Sequence, residues 1–227
     1  MAKGAGMIHP QMATTLSFVT TDAVMPAPLL RKALRAAVNR SFNCVSVDGD
    51  TSTNDSIFLL ASGLAGHAPI TEEDEQFALF QTALTEVTTK LAKMVVRDGE
   101  GATRVVAVTV TGASSARDAK AAAQAVMTSP LVKTMLYGGE PNWGRLLAAV
   151  GRSGAAVAGE QVAIWIAGVQ VARSGLGVPA NLAAAVEAMR APEFEIVIDL
   201  QQGSAEFTGW TSDLNEAYVK INAGYMT

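Results

Sequence analysis

Polar and apolar positions alternate over residues 14–21, a pattern that predicts a buried strand behind an arm rich in glycine and small residues, residues 3–13. Pro26 and Pro28 then punctuate a helix start, and Leu29, Leu30, Ala33, Leu34, Ala37 and Val38 recur with helical spacing, as expected of a helix covering one face of a sheet. Residues 43–48 predict a short strand that runs into Asp48-Gly49-Asp50-Thr51-Ser52-Thr53-Asn54-Asp55, read as Asx and Ser/Thr turns feeding a helix from about Asn54. The clearest helix follows the turn-rich residues 63–69. Thr71 is its expected N-cap, Glu72, Glu73 and Asp74 occupy its first turn, and Phe77, Phe80, Leu84, Val87, Leu91 and Met94 form its core stripe. Lys90, Lys93 and Arg97 suit its C-terminal dipole, with Gly99 as the expected left-handed cap.

A glycine-bracketed turn, Gly99-Glu100-Gly101, leads into a strand over residues 103–111. The small polar residues 112–117, with Ser115 and Asp118 as a near capping box, suggest a domain boundary, giving 1–113 and 114–227. The second half predicts an alanine-rich helix to Met127, ended by Pro130, a short helix over 131–137, and one capped by Asn142 through Val150. Val162, Ile164 and Ile166 against Val169 and Val171 predict a hairpin turning at Ala167-Gly168. Residues 181–190 predict a helix, residues 194–200 and 205–211 a strand pair across 201–204, and a last helix starts near Asp213. The class is α/β, with helices layered on mixed or antiparallel sheets.

Composition narrows the function. With 227 residues, 49% hydrophobic and 17% charged, the chain can bury a sizeable core. A net charge of −4 argues against nucleic acid as a partner, and the basic cluster Arg31, Lys32, Arg35 and Arg40 reads as a solvated helix face. The one cysteine, Cys44, excludes an internal disulfide, fits a reducing compartment and reads as buried filler. No apolar run approaches the ~18 residues of a membrane helix, so the chain reads as soluble and cytoplasmic. Neither His9 nor His67 has a second histidine at metal-ligand spacing, and the loop over 48–55 puts Thr53 and Leu59 where a calcium loop needs glycine and glutamate. Residues 138–145 lack a lysine at phosphate-loop spacing. No metal and no cofactor are expected.

The chemistry concentrates at Ala13-Thr14. A peptide bond strained in this arm and broken before Thr14 would leave a threonine with a hydroxyl nucleophile and its own α-amine as base. That amine titrates near ~8, against ~10.4 for a lysine, so it is substantially neutral at physiological pH. Taken alone, Thr14 reads first as an ordinary strand residue, since threonine is common here, as Thr15, Thr20 and Thr21 show.

Six blocks, in order along the chain, carry a resemblance: residues 3–14, 47–55, 98–103, 129–134, 141–145 and 218–223. Together they resemble the glutamate N-acetyltransferase family, also called ornithine acetyltransferase, which makes N-acetylglutamate and ornithine in arginine biosynthesis. The resemblance implies a four-layer α-β-β-α sandwich of the N-terminal-nucleophile type plus a smaller C-terminal α/β domain whose tail returns to the active site. It implies that Thr14 is the self-cleaving nucleophile, that Ala13 precedes the cut, and that Lys3, Thr14, Glu100, Asn222 and Thr227 bind substrate. Read singly, Lys3 is also a chain-terminal lysine, Glu100 a solvated loop residue and Asn222 a helix cap.

The implied mechanism is ping-pong: Thr14 takes the acetyl group from N2-acetylornithine and passes it to glutamate. Acetyl-CoA stays open as a further donor. Family members carry a long segment ahead of the Lys-Gly motif that supplies a Thr-Gly pair for the oxyanion hole and a further substrate threonine. This chain starts at Met1, so it is expected to need that segment as a partner in a heterotetramer of processed chains, and to have little transferase activity alone. Two alternatives remain: a related self-processing aminopeptidase or amidase, and an inactive fragment that needs a partner chain.

Overall fold

A computed structural model describes residues 1–9 and 15–224 as mixed sheets flanked by helices, the α/β class expected from the sequence. Ala13, Thr14 and Thr227 lie outside the described residues. The chain divides into two units, Met1–Asp98 and Gly99–Thr227. The division falls before the boundary expected at 113/114, because residues 105–113 form an inner strand of the second unit's sheet.

The first unit contains β1 (Ala2–Lys3), β2 (Leu16–Thr21), α1 (Ala27–Asn39), β3 (Val45–Ser46), β4 (Ser56–Ala61) and α2 (Glu75–Arg97). β2 pairs antiparallel with β1, Lys3 opposite Leu16, and parallel with β4, from Leu16↔Ser56 to Thr21↔Ala61. A parallel pair requires a crossover, which includes α1. Extended Pro26 precedes the helix and Pro28 lies in its first turn, where a missing N–H is harmless. Ala33 and Ala37, both fully buried, pack with Phe77 and Leu84 of α2 and with Val19 and Leu59 from the sheet.

Several expectations change here. The strand after residue 14 buries one face only: Ser17 points inward, while Leu16 and Phe18 are exposed. The expected helix from Asn54 is the strand β4. A short apolar run such as Ile57-Phe58-Leu59-Leu60 suits either form, and the ladder with β2 decides it. Residues 42–44 form a single 3-10 turn ahead of β3 rather than continuing the strand. α2 starts later than expected, with Asp74 rather than Thr71 as cap, its Oδ1 accepting from Phe77 N at 2.9 Å. Val87 and Met94 of the predicted stripe are exposed, and Thr88, Ala92 and Val95 are buried instead. Thr88 tolerates burial because its hydroxyl donates to Leu84 O at 2.9 Å. Gly99 is not in the left-handed region; Gly101 is, at φ 71°.

The second unit contains β5 (Val105–Ala113), α3 (Ala116–Met127), α4 (Pro130–Gly138), α5 (Trp143–Gly151), β6 (Ala163–Ile166), β7 (Val169–Arg173), β8 (Leu176–Gly177), α6 (Leu182–Ala188), β9 (Glu193–Asp199), β10 (Ala205–Ser212) and α7 (Glu216–Ala223). Its strands run in the order β10-β5-β9-β6-β7-β8. The expected pairing of residues 194–200 with 205–211 does not form. β5 lies between them, antiparallel to β10 and parallel to β9, with Val106, Val108 and Val110 fully buried. Ala119, Ala122, Ala123 and Val126 line one face of α3 and are fully buried in this unit's core with Ile164, Ile166, Ile196 and Ile198. The hairpin at Ala167-Gly168 forms as expected, both residues at positive φ. Ser115 caps α3, accepting from Asp118 N at 3.1 Å, and Asn142 caps α5, accepting from Arg145 N at 3.2 Å. The last helix starts at Glu216 with Asn215 as cap, not at Asp213.

Candidate active site

In the first unit, Lys3 is exposed on β1. Beside it a cleft of about 660 Å³ opens between residues 1–5 and the C-terminal half of α2, with Leu91, Met94 and Val95 on its far wall. The adjoining arm is held through its backbone. Asp48 accepts from Met7 N at 2.6 Å and from Ile8 N at 3.0 Å, and Val47 N donates to Ile8 O at 2.8 Å. Met7 has φ 53°, a conformation that a non-glycine residue keeps only under restraint. His9 Nδ1 lies 3.2 Å from Ser46 Oγ.

Beyond the undescribed residues the chain is held again. Asp55 Oδ1 accepts from Thr15 N at 2.5 Å, and Ser56 N donates to Thr15 O at 3.0 Å, which starts the β2–β4 ladder. Asp55 Oδ2 is buried with no hydrogen-bond partner among the described residues. Burial pushes this carboxyl above its usual range, and the Thr15 amide opposes that in part. The loop from Asp48 to Asp55 thus has the turn character expected of it. What the sequence reading missed is that the carboxylates at its two ends reach the arms on either side of residues 10–14.

In the second unit, Glu100 and Asn222 come together. Asn222 Nδ2 donates to Glu100 Oε2 at 2.7 Å and to Tyr218 O at 3.0 Å. The turn carrying Glu100 packs so closely on α7 that a Cβ on Gly101 would lie 2.7 Å from Tyr218 N, and Asn215 Nδ2 donates to Gly101 O at 2.7 Å. Two buried charged side chains fix the start of this segment. Asp213 accepts from Thr103 N, Thr103 Oγ1 and Arg104 N at 2.6–2.9 Å. The Lys133 ammonium donates to Thr211 Oγ1 and to Ser212 O, tying α4 to the end of β10. Lys133 stands in the apolar run Leu131-Val132-Lys133-Thr134-Met135, which is a sequence signal for its burial, whereas Asp213, in the polar Thr211-Ser212-Asp213-Leu214-Asn215, gave none.

Among the described residues no group of three His, Cys, Asp or Glu side chains could hold a metal, and no helix is long and apolar enough to cross a membrane.

The sequence pattern of the ArgJ family matches residues 1–227. The arginine biosynthesis bifunctional protein ArgJ of Symbiobacterium thermophilum is 49% identical over 227 residues, which is 100% of this chain and 56% of that protein. Its namesake from Thermus thermophilus is 45% identical, over 100% of this chain and 58% of that protein. The chain therefore spans little more than half the length of these relatives. The crystal structure of arginine biosynthesis bifunctional protein ArgJ from Bacillus halodurans superposes with a TM-score of 0.89 at 41% identity, covering 93% of this chain and 100% of that one. With every residue inside the family's pattern and the backbone of a solved member reproduced, the chain belongs to the ArgJ family.

Proposed function

We propose that the chain is the nucleophile-bearing part of an enzyme that transfers an acetyl group from N2-acetylornithine to glutamate in arginine biosynthesis. The observation that carries this reading is the pairing of Glu100 with Asn222 on a turn locked against the last helix, within a chain matched end to end by proteins named for arginine biosynthesis.

In the first step the Thr14 hydroxyl oxygen attacks the Ala13 carbonyl carbon. The C–N bond breaks and the hydroxyl proton passes to the released nitrogen, which becomes the free Thr14 amine, and water then hydrolyses the resulting ester to an Ala13 carboxylate and the regenerated Thr14 hydroxyl. In the transfer, Thr14 Oγ attacks the acetyl carbonyl, its proton moves through the amine to the leaving nitrogen of ornithine, and the glutamate amine then takes the acetyl group from the threonine ester. Lys3 pairs with a substrate carboxylate, Glu100 with an ammonium, Asn222 orients Glu100, and Thr227 contributes from the chain end. No cofactor enters this scheme, and acetyl-CoA is a second donor to be tested.

The same reading makes the chain a partner of the leading segment that its longer relatives carry, supplying oxyanion donors in a cytoplasmic hetero-oligomer. The outer face of the first unit's sheet supports this. Leu16, Phe18, Phe58 and Leu60 are exposed there, with the Phe18 and Phe58 rings stacked at 5.2 Å. Parallel strands are normally covered on both faces.

The test is co-expression with the leading segment of the Symbiobacterium relative. Intact mass should show scission at Ala13–Thr14, and acetyl transfer from acetylornithine to glutamate should exceed hydrolysis of amino-acid amides. Transfer persisting in Thr14→Val would overturn the assignment, and amide hydrolysis in place of transfer would favour the aminopeptidase.

A further inference from the structure

The helix that carries Asn222 buries no side chain fully. All eight residues of α7, Glu216–Ala223, are exposed or half-buried in the second unit, and a free helix of that length is marginal in water. Its position therefore rests largely on polar contacts near its start. One of them is a single side-chain amide with two tasks. Asn215 Oδ1 accepts from Ala217 N at 2.9 Å, which caps α7, and Asn215 Nδ2 donates to Gly101 O at 2.7 Å, in the turn beside Glu100. That turn is closed by Ala102 N, which donates to Gly99 O at 2.9 Å. Its glycine is required: Gly101 has φ 71°, and a Cβ there would lie 3.1 Å from Asn215 Oδ1 and 2.7 Å from Tyr218 N. Just ahead of the amide the chain is fixed by buried groups, since Asp213 accepts from Thr103 N at 2.8 Å and from Arg104 N at 2.9 Å, and Leu214 N donates to Lys133 O at 3.2 Å. Asn215 is thus the joint between a fixed base and an exposed helix, and Asn222 meets Glu100 about two helical turns further on.

We propose, resting on the assignment of Glu100 to the substrate ammonium, that Asn215 is a positioning residue for acetyl transfer. By tying Gly101 O to the cap of α7 it sets the approach of Asn222 to Glu100, which holds the carboxylate in the orientation in which it meets the ammonium. Asn215 touches no substrate in this assignment and acts through Glu100 alone. Its two tasks are chemically separable, because the cap needs an oxygen acceptor and the tie to Gly101 O needs an N–H donor.

The experiment compares wild type, Asn215→Asp, Asn215→Ser, Glu100→Gln, and Glu100→Gln combined with Asn215→Ser, each co-expressed with the leading segment of the Symbiobacterium relative. Steady-state kinetics give the KM for acetylornithine, and thermal melts follow the fold. Aspartate and serine both keep a cap oxygen and lack the amide donor, so both variants should melt near wild type while KM rises about fivefold, the effect of one hydrogen bond. In the Glu100→Gln background Asn215→Ser should add less than about twofold, because residues that act through one another are not additive. A folded Asn215→Asp or Asn215→Ser with the wild-type KM overturns the proposal, as does a shift of undiminished size in the Glu100→Gln background. Loss of the fold in both variants overturns it too, because the amide would then hold the unit together instead of placing one carboxylate. If wild type transfers no acetyl group, or Glu100→Gln leaves KM unchanged, the substrate assignment falls first and Asn215 with it. A raised KM in Glu100→Gln beside indifferent Asn215 variants removes only Asn215.

Discussion

Asn222 donates its side-chain amide to the Glu100 carboxylate at 2.7 Å, joining residues 122 positions apart. The bond orients a carboxylate that, in the proposed reaction, meets a substrate ammonium. Glu100→Gln keeps an acceptor for Asn222 and removes the charge. A hydrogen bond to a charged group contributes about 1.5–3 kcal/mol, so the KM for acetylornithine should rise by about tenfold or more. Steady-state kinetics of the co-expressed enzyme check this, and an unchanged KM would remove Glu100 from the substrate site.

Asp213→Ala would strand three donors, Thr103 N, Arg104 N and Thr103 Oγ1, beside a position only 3% exposed. A buried donor left without a partner costs about 1–3 kcal/mol, so the second unit should lose about 3 kcal/mol or more. The midpoint of urea unfolding, followed by tryptophan fluorescence, reads the loss.

Phe58→Asp places a charge on the exposed apolar face of β4, where the Phe18 ring now stacks. The isolated chain should melt close to wild type, because that side chain lies outside the core. Capture of the co-expressed leading segment in a pull-down should collapse. Undiminished capture would put the docking surface elsewhere.

Asp55 gives a pH signature. Its carboxyl is raised in the fold by burial, so its favourable contribution is full below the unfolded value of about 3.9 and is lost as pH rises through the raised folded value. Asp55→Asn does not ionise. The Tm of wild type minus that of Asp55→Asn should therefore fall as pH rises above the unfolded value of about 3.9, measured by thermal melts across the range. A constant difference would mean the carboxylate titrates as it does unfolded.

Local signals were legible where one element settles its own form. Pro26 and Pro28 opened α1, Ser115 and Asn142 capped α3 and α5, and Ala167-Gly168 turned the hairpin, each through chemistry confined to a few residues. Long-range pairing was not legible. β9 and β10 are neighbours in sequence yet flank β5, and the apolar run in β4 took strand form through its ladder with β2. The face that α2 buries was shifted for a related reason: Thr88 satisfies its own hydroxyl against Leu84 O and so counts as core. At the site, the match to family blocks singled out Glu100 and Asn222, which the fold joins, but gave no hint that Asp48 accepts from Met7 N and Ile8 N and Asp55 from Thr15 N, because backbone amides leave no mark in the sequence.

The pairing of Lys3 with Leu16 sets what scission could do to the molecule. The upstream arm is stitched to the downstream strand by that ladder and gripped by Asp48, so a cut between them would free a covalent end without freeing a fragment. Sizing under native conditions would register one undivided particle, and only denaturant would release two polypeptides.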